Sequence, residues 1–148
     1  MLTGRLVVKN RAFTLLELLV TFIIVAVLVV IGVPTYSKYR VRSKVATMFA
    51  AAGAAELAVT NDYFNQGNSF SGIAYANGSQ PFTTAQSTII SSIVISAGVI
   101  TITGNSTELG GRAINLVFTP SVVNNDISWA CNTSSSTFFE LVPAACQN

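Results

Sequence analysis

The sequence predicts an α+β fold. A long N-terminal helix, membrane-spanning in its first half and kinked at a proline, packs against a small antiparallel β-sheet head with a C-terminal disulfide loop. Three observations predict this. Residues 13–34, FTLLELLVTFIIVAVLVVIGVP, form an apolar run of membrane-crossing length. Residues 35–62 keep apolar side chains at helical spacing. From residue 87 onward, short runs of Ile, Val, Ser and Thr alternate with turn residues, and two cysteines lie near the C-terminus.

A helix rises ~1.5 Å per residue, so roughly 20 residues cross the ~30 Å hydrocarbon core of a bilayer. The run at 13–34 meets that length, yet it carries one carboxylate, Glu17, near its start. An acidic side chain at the centre of a spanning helix costs about 2.5–3.5 kcal/mol, and less near an end, so Glu17 is expected to have a partner. Gly32 and Pro34 come at the end of the run. Proline has no N–H and crowds the preceding turn, so a helix kink is expected there without an end to the helix.

After the proline, Val41, Val45, Met48, Ala52, Ala55 and Val59 recur at spacings of four and three, the pattern of a core-facing stripe. Lys38, Arg40, Arg42 and Lys44 fall where the helix leaves the bilayer; they are expected to be solvated there and to reach lipid headgroups. Helix signals fade at Asn61 and Asp62. Residues 63–86, punctuated by Gly67, Gly72, Asn77, Gly78 and Pro81, read as a surface loop with room for a short strand or turn. The sheet is expected over 87–131. Residues 89–96 and 99–103 form a hairpin around Ala97 and Gly98, 113–119 a third strand ending before Pro120, and 127–131 a fourth after a turn at Asn124, Asn125 and Asp126. Strands so closely spaced pair antiparallel. Ile127, Trp129 and Cys131 share one face, so the indole is expected to pack inward near the sulfur.

Cys131 and Cys146 bound a Ser/Thr-rich segment within 131–148, and the chain has no histidine to complete a metal site. They read as a disulfide in preference to two free thiols, which places the C-terminal part in an oxidising space outside the cytoplasm. The basic residues could not have oriented the chain, because three precede the apolar run and four follow it. The net charge of +2 hides this clustering: seven of the eight basic residues flank the run. From residue 45 onward, five acidic residues face Arg112 alone, and this acidic head argues against a nucleic-acid partner.

No catalytic constellation is visible. Without histidine there is no Ser/His or Cys/His pair, the carboxylates are scattered, and Gly110-Gly111 is a turn and not a phosphate loop. Neither enzymatic activity nor a cofactor nor a metal is expected. The triplets beginning at Asn77, Asn105 and Asn132 match a glycosylation pattern that a chain this rich in Asn and Ser produces by chance.

Residues 1–12, MLTGRLVVKNRA, form a basic leader. As a secretory signal its apolar stretch is too long and lacks an A-x-A site; as an uncleaved anchor it leaves Glu17 unexplained. Ala12 followed by Phe13, Thr14, Leu15, Leu16, Glu17, Leu18 and Leu19 resembles the processing site of type IV prepilins. The family usually has Gly before the cut, and Ala12 keeps a small side chain there. The resemblance implies that a prepilin peptidase cleaves between Ala12 and Phe13, that the new amine of Phe13 is N-methylated, and that this amine pairs with Glu17 of a neighbouring subunit. The loop between Cys131 and Cys146 resembles the disulfide-bounded C-terminal loop of type IVa pilins.

The family reading is therefore a structural subunit, most like a type IVa major pilin. It resides in the inner membrane of a Gram-negative cell as a precursor, in contact with lipid. Inner-membrane assembly machinery then polymerises it into a helical surface filament used in adhesion, twitching motility or DNA uptake. A minor pilin or a type II secretion pseudopilin shares the N-terminal motif. A membrane-anchored binding module is the alternative of another class.

Overall fold

The computed structural model describes residues 13–79 and 88–148; the expected leader with Ala12, and residues 80–86 of the expected loop, lie outside the described residues. The chain divides between Ser37 and Lys38 into two compact units.

Helix α1, Leu15–Asn65, begins in the first unit and continues into the second. In the first unit every described side chain is exposed. A stretch apolar all round has no water-facing side, and this one is long and apolar enough to cross a membrane. The helix continues through Gly32 and Pro34. Pro34 removes the amide that would bond the Val30 carbonyl. Around it, the Thr35 hydroxyl donates to the Ile31 carbonyl at 3.0 Å and the Ser37 hydroxyl to the Pro34 carbonyl at 3.0 Å. Such bonds back to the preceding turn satisfy polar side chains at the end of an apolar stretch.

In the second unit α1 runs to Asn65, three residues beyond the expected end at Asp62. Its buried residues are Val41, Val45, Met48, Ala52, Ala55, Val59 and Tyr63, the predicted stripe with one further turn. The extra turn ends against an aromatic contact: the Tyr63 and Phe70 rings have centroids 4.4 Å apart.

The sheet has five antiparallel strands in sequence order: β1 Ala74–Tyr75, β2 Ile90–Ser96, β3 Val99–Gly104, β4 Asn115–Val123 and β5 Asp126–Thr133. Ile93, Ile95, Ile100, Ile102, Leu116, Phe118 and Cys131 form one face, and with the α1 stripe they make a single core. The side chain of Met48 comes so close to Gly104 that a Cβ there would lie 3.1 Å from the methionine methyl. Phe49 meets Phe118 with ring centroids 5.6 Å apart.

The short strand for which the loop left room is β1, paired to β2 through Ala74↔Ser96 and Tyr75↔Ile95. One strand expectation is corrected. β4 does not stop before Pro120 but runs on to Val123. The β3 register ends at Ile100↔Phe118, so Pro120 sits where β4 has a neighbour on one side only, and its missing N–H interrupts no inner ladder. Trp129 is half-buried against the core, not enclosed.

Both hairpins turn on two residues. Ala97 and Gly98 have φ of 49° and 76°, and Asn124 and Asn125 have 52° and 66°. Positive φ at both positions is the type I′ turn, whose twist matches the flanking strands. Gly98 is required on a second count, because a Cβ there would meet the Phe70 ring at 2.7 Å. After β5, short 3-10 turns at Ser136–Phe138 and Ala144–Cys146 carry the chain to its end.

Candidate functional site

In the first unit the residues singled out by sequence are Phe13 and Glu17. Phe13 is exposed just ahead of α1, and Glu17 is in its first turn. Thr14 caps this end: its hydroxyl oxygen accepts the Glu17 amide at 3.2 Å, and its carbonyl accepts the Leu18 amide at 3.2 Å. Thr14-Leu-Leu-Glu17 has the spacing of a capping box, in which an acid at the third helical position also complements the positive end of the helix dipole. Sequence reasoning singled out Glu17 and not Thr14, although the Thr-x-x-Glu spacing was there to read. Among the described residues the Glu17 carboxylate has no ion pair.

In the second unit the basic cluster is not simply solvated. Lys38 Nζ lies 2.9 Å from Glu140 Oε2, and Arg42 Nε donates to the Glu140 carbonyl at 2.5 Å. Lys44 Nζ lies 2.7 Å from Glu108 Oε2 and donates to the Glu108 carbonyl at 2.7 Å. The expectation of free solvated charge is thus corrected for these three residues, which fasten α1 to the β3–β4 connection and to the C-terminal loop. The hydrogen bond from Lys44, then its charge, holds the Glu108 carboxyl below its ordinary range; Lys38 does the same for Glu140. Lys38 and Glu140 are well exposed, so screening keeps that pair weak, whereas Lys44 is largely covered.

Cys131 of β5 and Cys146 are joined by a disulfide, with Cα atoms 4.4 Å apart and a sequence separation of 15. Both sulfur-bearing residues are buried in the core. Gln147 Nε2 closes the loop from outside by donating to the Phe139 and Val142 carbonyls at 2.7 and 3.1 Å.

Two of the three glycosylation-like asparagines have structural work. Asn77 Oδ1 accepts the Ile93 amide at 3.1 Å, and the Asn105 side chain bonds the Thr88 carbonyl and the Thr107 amide. Tyr75 of β1 donates its hydroxyl to Asp62, tying the short edge strand to the end of α1. This hydrogen bond to a carboxylate raises the phenol above its ordinary range.

The chain is similar to known proteins. The family model described as pilin, a bacterial filament protein, matches residues 41–147, and that of the prokaryotic N-terminal methylation motif matches residues 8–33. The chain is 30% identical over 150 residues to the fimbrial protein EcpC of Eikenella corrodens, covering 94% of this chain and 92% of that protein. It is 27% identical over 126 residues to a type IV major pilin protein PilE1 of Neisseria gonorrhoeae, covering 82% and 69% of the two chains. With a fimbrial protein of Neisseria meningitidis it shares 28% identity over 116 residues, 72% of this chain and 65% of the other.

Proposed function

The chain belongs to the pilin family and is a type IV pilin, a pilus subunit that assembles with its own kind, and on that premise we propose that Glu17 directs its assembly as a major subunit. The observation that carries the proposal is a carboxylate in the first turn of an exposed and largely apolar helix stretch, with no ion pair among the described residues and with only Thr14 and Thr21 as polar neighbours on its face. Such a group is costly in a bilayer or a filament core unless a cation meets it.

In this reading a membrane peptidase removes residues 1–12, cutting between Ala12 and Phe13, and the amine of Phe13 is then methylated. Subunits leave the lipid with their apolar helices side by side, each displaced along the axis, so that the Phe13 amine of one meets Glu17 of another. Pairing in a low-dielectric core offsets desolvation and rejects other registers. A head-to-tail contact that does not close gives a helical filament. A bend at Gly32 and Pro34 adapts α1 to the filament core, and the disulfide-closed heads face outward. Inner-membrane assembly machinery drives the process. On a Gram-negative surface such a filament serves adhesion, twitching motility or DNA uptake, a structural and not an enzymatic role.

The test replaces Glu17 by Val. The variant subunit should reach the membrane in ordinary amount, while filaments sheared from cells fall by at least about tenfold, the consequence of losing roughly 1.4 kcal/mol or more of selectivity per contact. Filaments at the level of the unaltered protein would refute the pairing.

A further inference from the structure

We infer that Tyr39 and Arg40 form a seat for a phospholipid headgroup, with the lipid phosphate as the counter-ion of Arg40. The inference rests on the membrane stage of the proposed function and names a ligand for residues just beyond the apolar run. Four basic residues follow that run: Lys38, Arg40, Arg42 and Lys44. Three of them are committed to the head, Lys38 and Arg42 through Glu140 and Lys44 through Glu108. Arg40 is the fourth. Among the described residues it makes no hydrogen bond and no ion pair; its charge reaches the Glu108 carboxylate, but Lys44 already holds that group.

The helical period separates the two roles. Val41, Val45 and Met48 are buried in the core, and Tyr39 stands on the opposite side of the helix, 70% exposed. Arg40 precedes Lys44 by one turn and is exposed at the border between the covered and the open sides. The head therefore takes the side chains on either flank of the buried stripe and leaves an aromatic ring and a guanidinium outside.

The occupant follows from position and charge. Tyr39 and Arg40 come five and six residues after Pro34, which ends an apolar stretch long enough to cross a membrane. Tyrosine gathers at the edge of a bilayer because its ring is apolar and its hydroxyl is wet, and a long basic side chain there turns its head toward the phosphates. A guanidinium takes a phosphate through two parallel N–H bonds, a geometry that an ammonium lacks. The disulfide puts these residues outside the cytoplasm, where basic residues run against the usual charge bias of membrane proteins. Glu140 and Glu108 offset that bias for Lys38 and Lys44, and a lipid phosphate offsets it for Arg40. Because neither Tyr39 nor Arg40 is bonded to the head, a subunit leaving the lipid can give up the headgroup without loosening α1 from Glu140 and Glu108.

A photoreactive benzoylphenylalanine in place of Tyr39 tests the seat, in the full-length chain inserted into vesicles of phosphatidylcholine with a minority of phosphatidylglycerol. After irradiation the intact mass should rise by one phospholipid, whereas the same group in place of Leu57, which is 69% exposed, should gain none. Arg40→Gln should lower the adduct at position 39 by about fivefold, the weight of one cation at a lipid surface, and Arg40→Lys should restore only part of it. Equal adducts at positions 39 and 57, an unchanged adduct in Arg40→Gln, or crosslinks from position 39 to another copy in place of lipid would each overturn the seat. Loss of the adduct in excess inorganic phosphate would overturn it too, by assigning Arg40 to free phosphate. A chain that does not stay with the vesicles would overturn the membrane stage, and the seat with it.

Discussion

Replacing both Cys131 and Cys146 by alanine tests how the head is held together. The bond closes a loop with a sequence separation of 15. For a loop of that length the chain-entropy relation gives about 3 kcal/mol at 25 °C, acting chiefly by restricting the unfolded chain. A domain of this size is stable by only about 5–15 kcal/mol in total, so the loss is a large share. With a urea slope of roughly 2 kcal/mol/M, the unfolding midpoint should fall by about 1.5 M. The assay is urea unfolding of the full chain in detergent, followed by the fluorescence of Trp129, the single tryptophan, half-buried on the strand that carries Cys131. Chemical reduction of the unaltered chain should give nearly the same midpoint as the double variant. A fall of less than about 0.3 M in both cases would refute the argument that the bond offsets the smallness of the core.

Phe118→Ala removes a fully buried ring that meets Phe49 and pairs across to Ile100 and Cys131, and it should cost about 3–5 kcal/mol in the same assay. The pH dependence follows from Glu108 and Glu140, whose carboxyls are held below their ordinary range by Lys44 and Lys38. A lowered folded value means that the stabilisation is fully present above the unfolded carboxylate value, about 4.3, and fades as pH falls through the folded value. Urea midpoints measured from pH 6 down to about pH 3 should therefore decline, and a Lys38→Met, Lys44→Met double variant should decline less over the same range.

Much of this fold was legible because its signals are local. The stripe Val41, Val45, Met48, Ala52, Ala55 and Val59 is a statement about helical period, and all six are buried. The Ala97-Gly98 hairpin was legible from the two runs around it, although Ala97 at φ 49° is not a residue that such a turn selects. What the sequence hid depends on neighbours far along the chain. β1 is two residues long, too short for a period, and exists because β2 offers an edge and Asp62 accepts the Tyr75 hydroxyl. Pro120 looked like a strand end because proline breaks an inner ladder, and only the early end of β3 makes it harmless. Lys38, Arg42 and Lys44 looked like interface charges because their partners, Glu140 and Glu108, lie 102, 98 and 64 residues away.

At the functional end, the pairing proposed for Phe13 and Glu17 is legible in the sequence as chemistry, since a lone carboxylate in an apolar run demands a cation. The fold adds the Thr14 cap, which fixes where the helix begins and hence the turn on which Glu17 stands.

The central claim is that this chain is processed ahead of its apolar helix and carried into an oxidising exterior as a filament subunit. The intact mass of protein from sheared filaments tests it most directly. The account predicts one species that begins at Phe13, with one added methyl and two hydrogens fewer for the Cys131–Cys146 bond. A filament protein that retains residues 1–12, or carries free thiols, would contradict it.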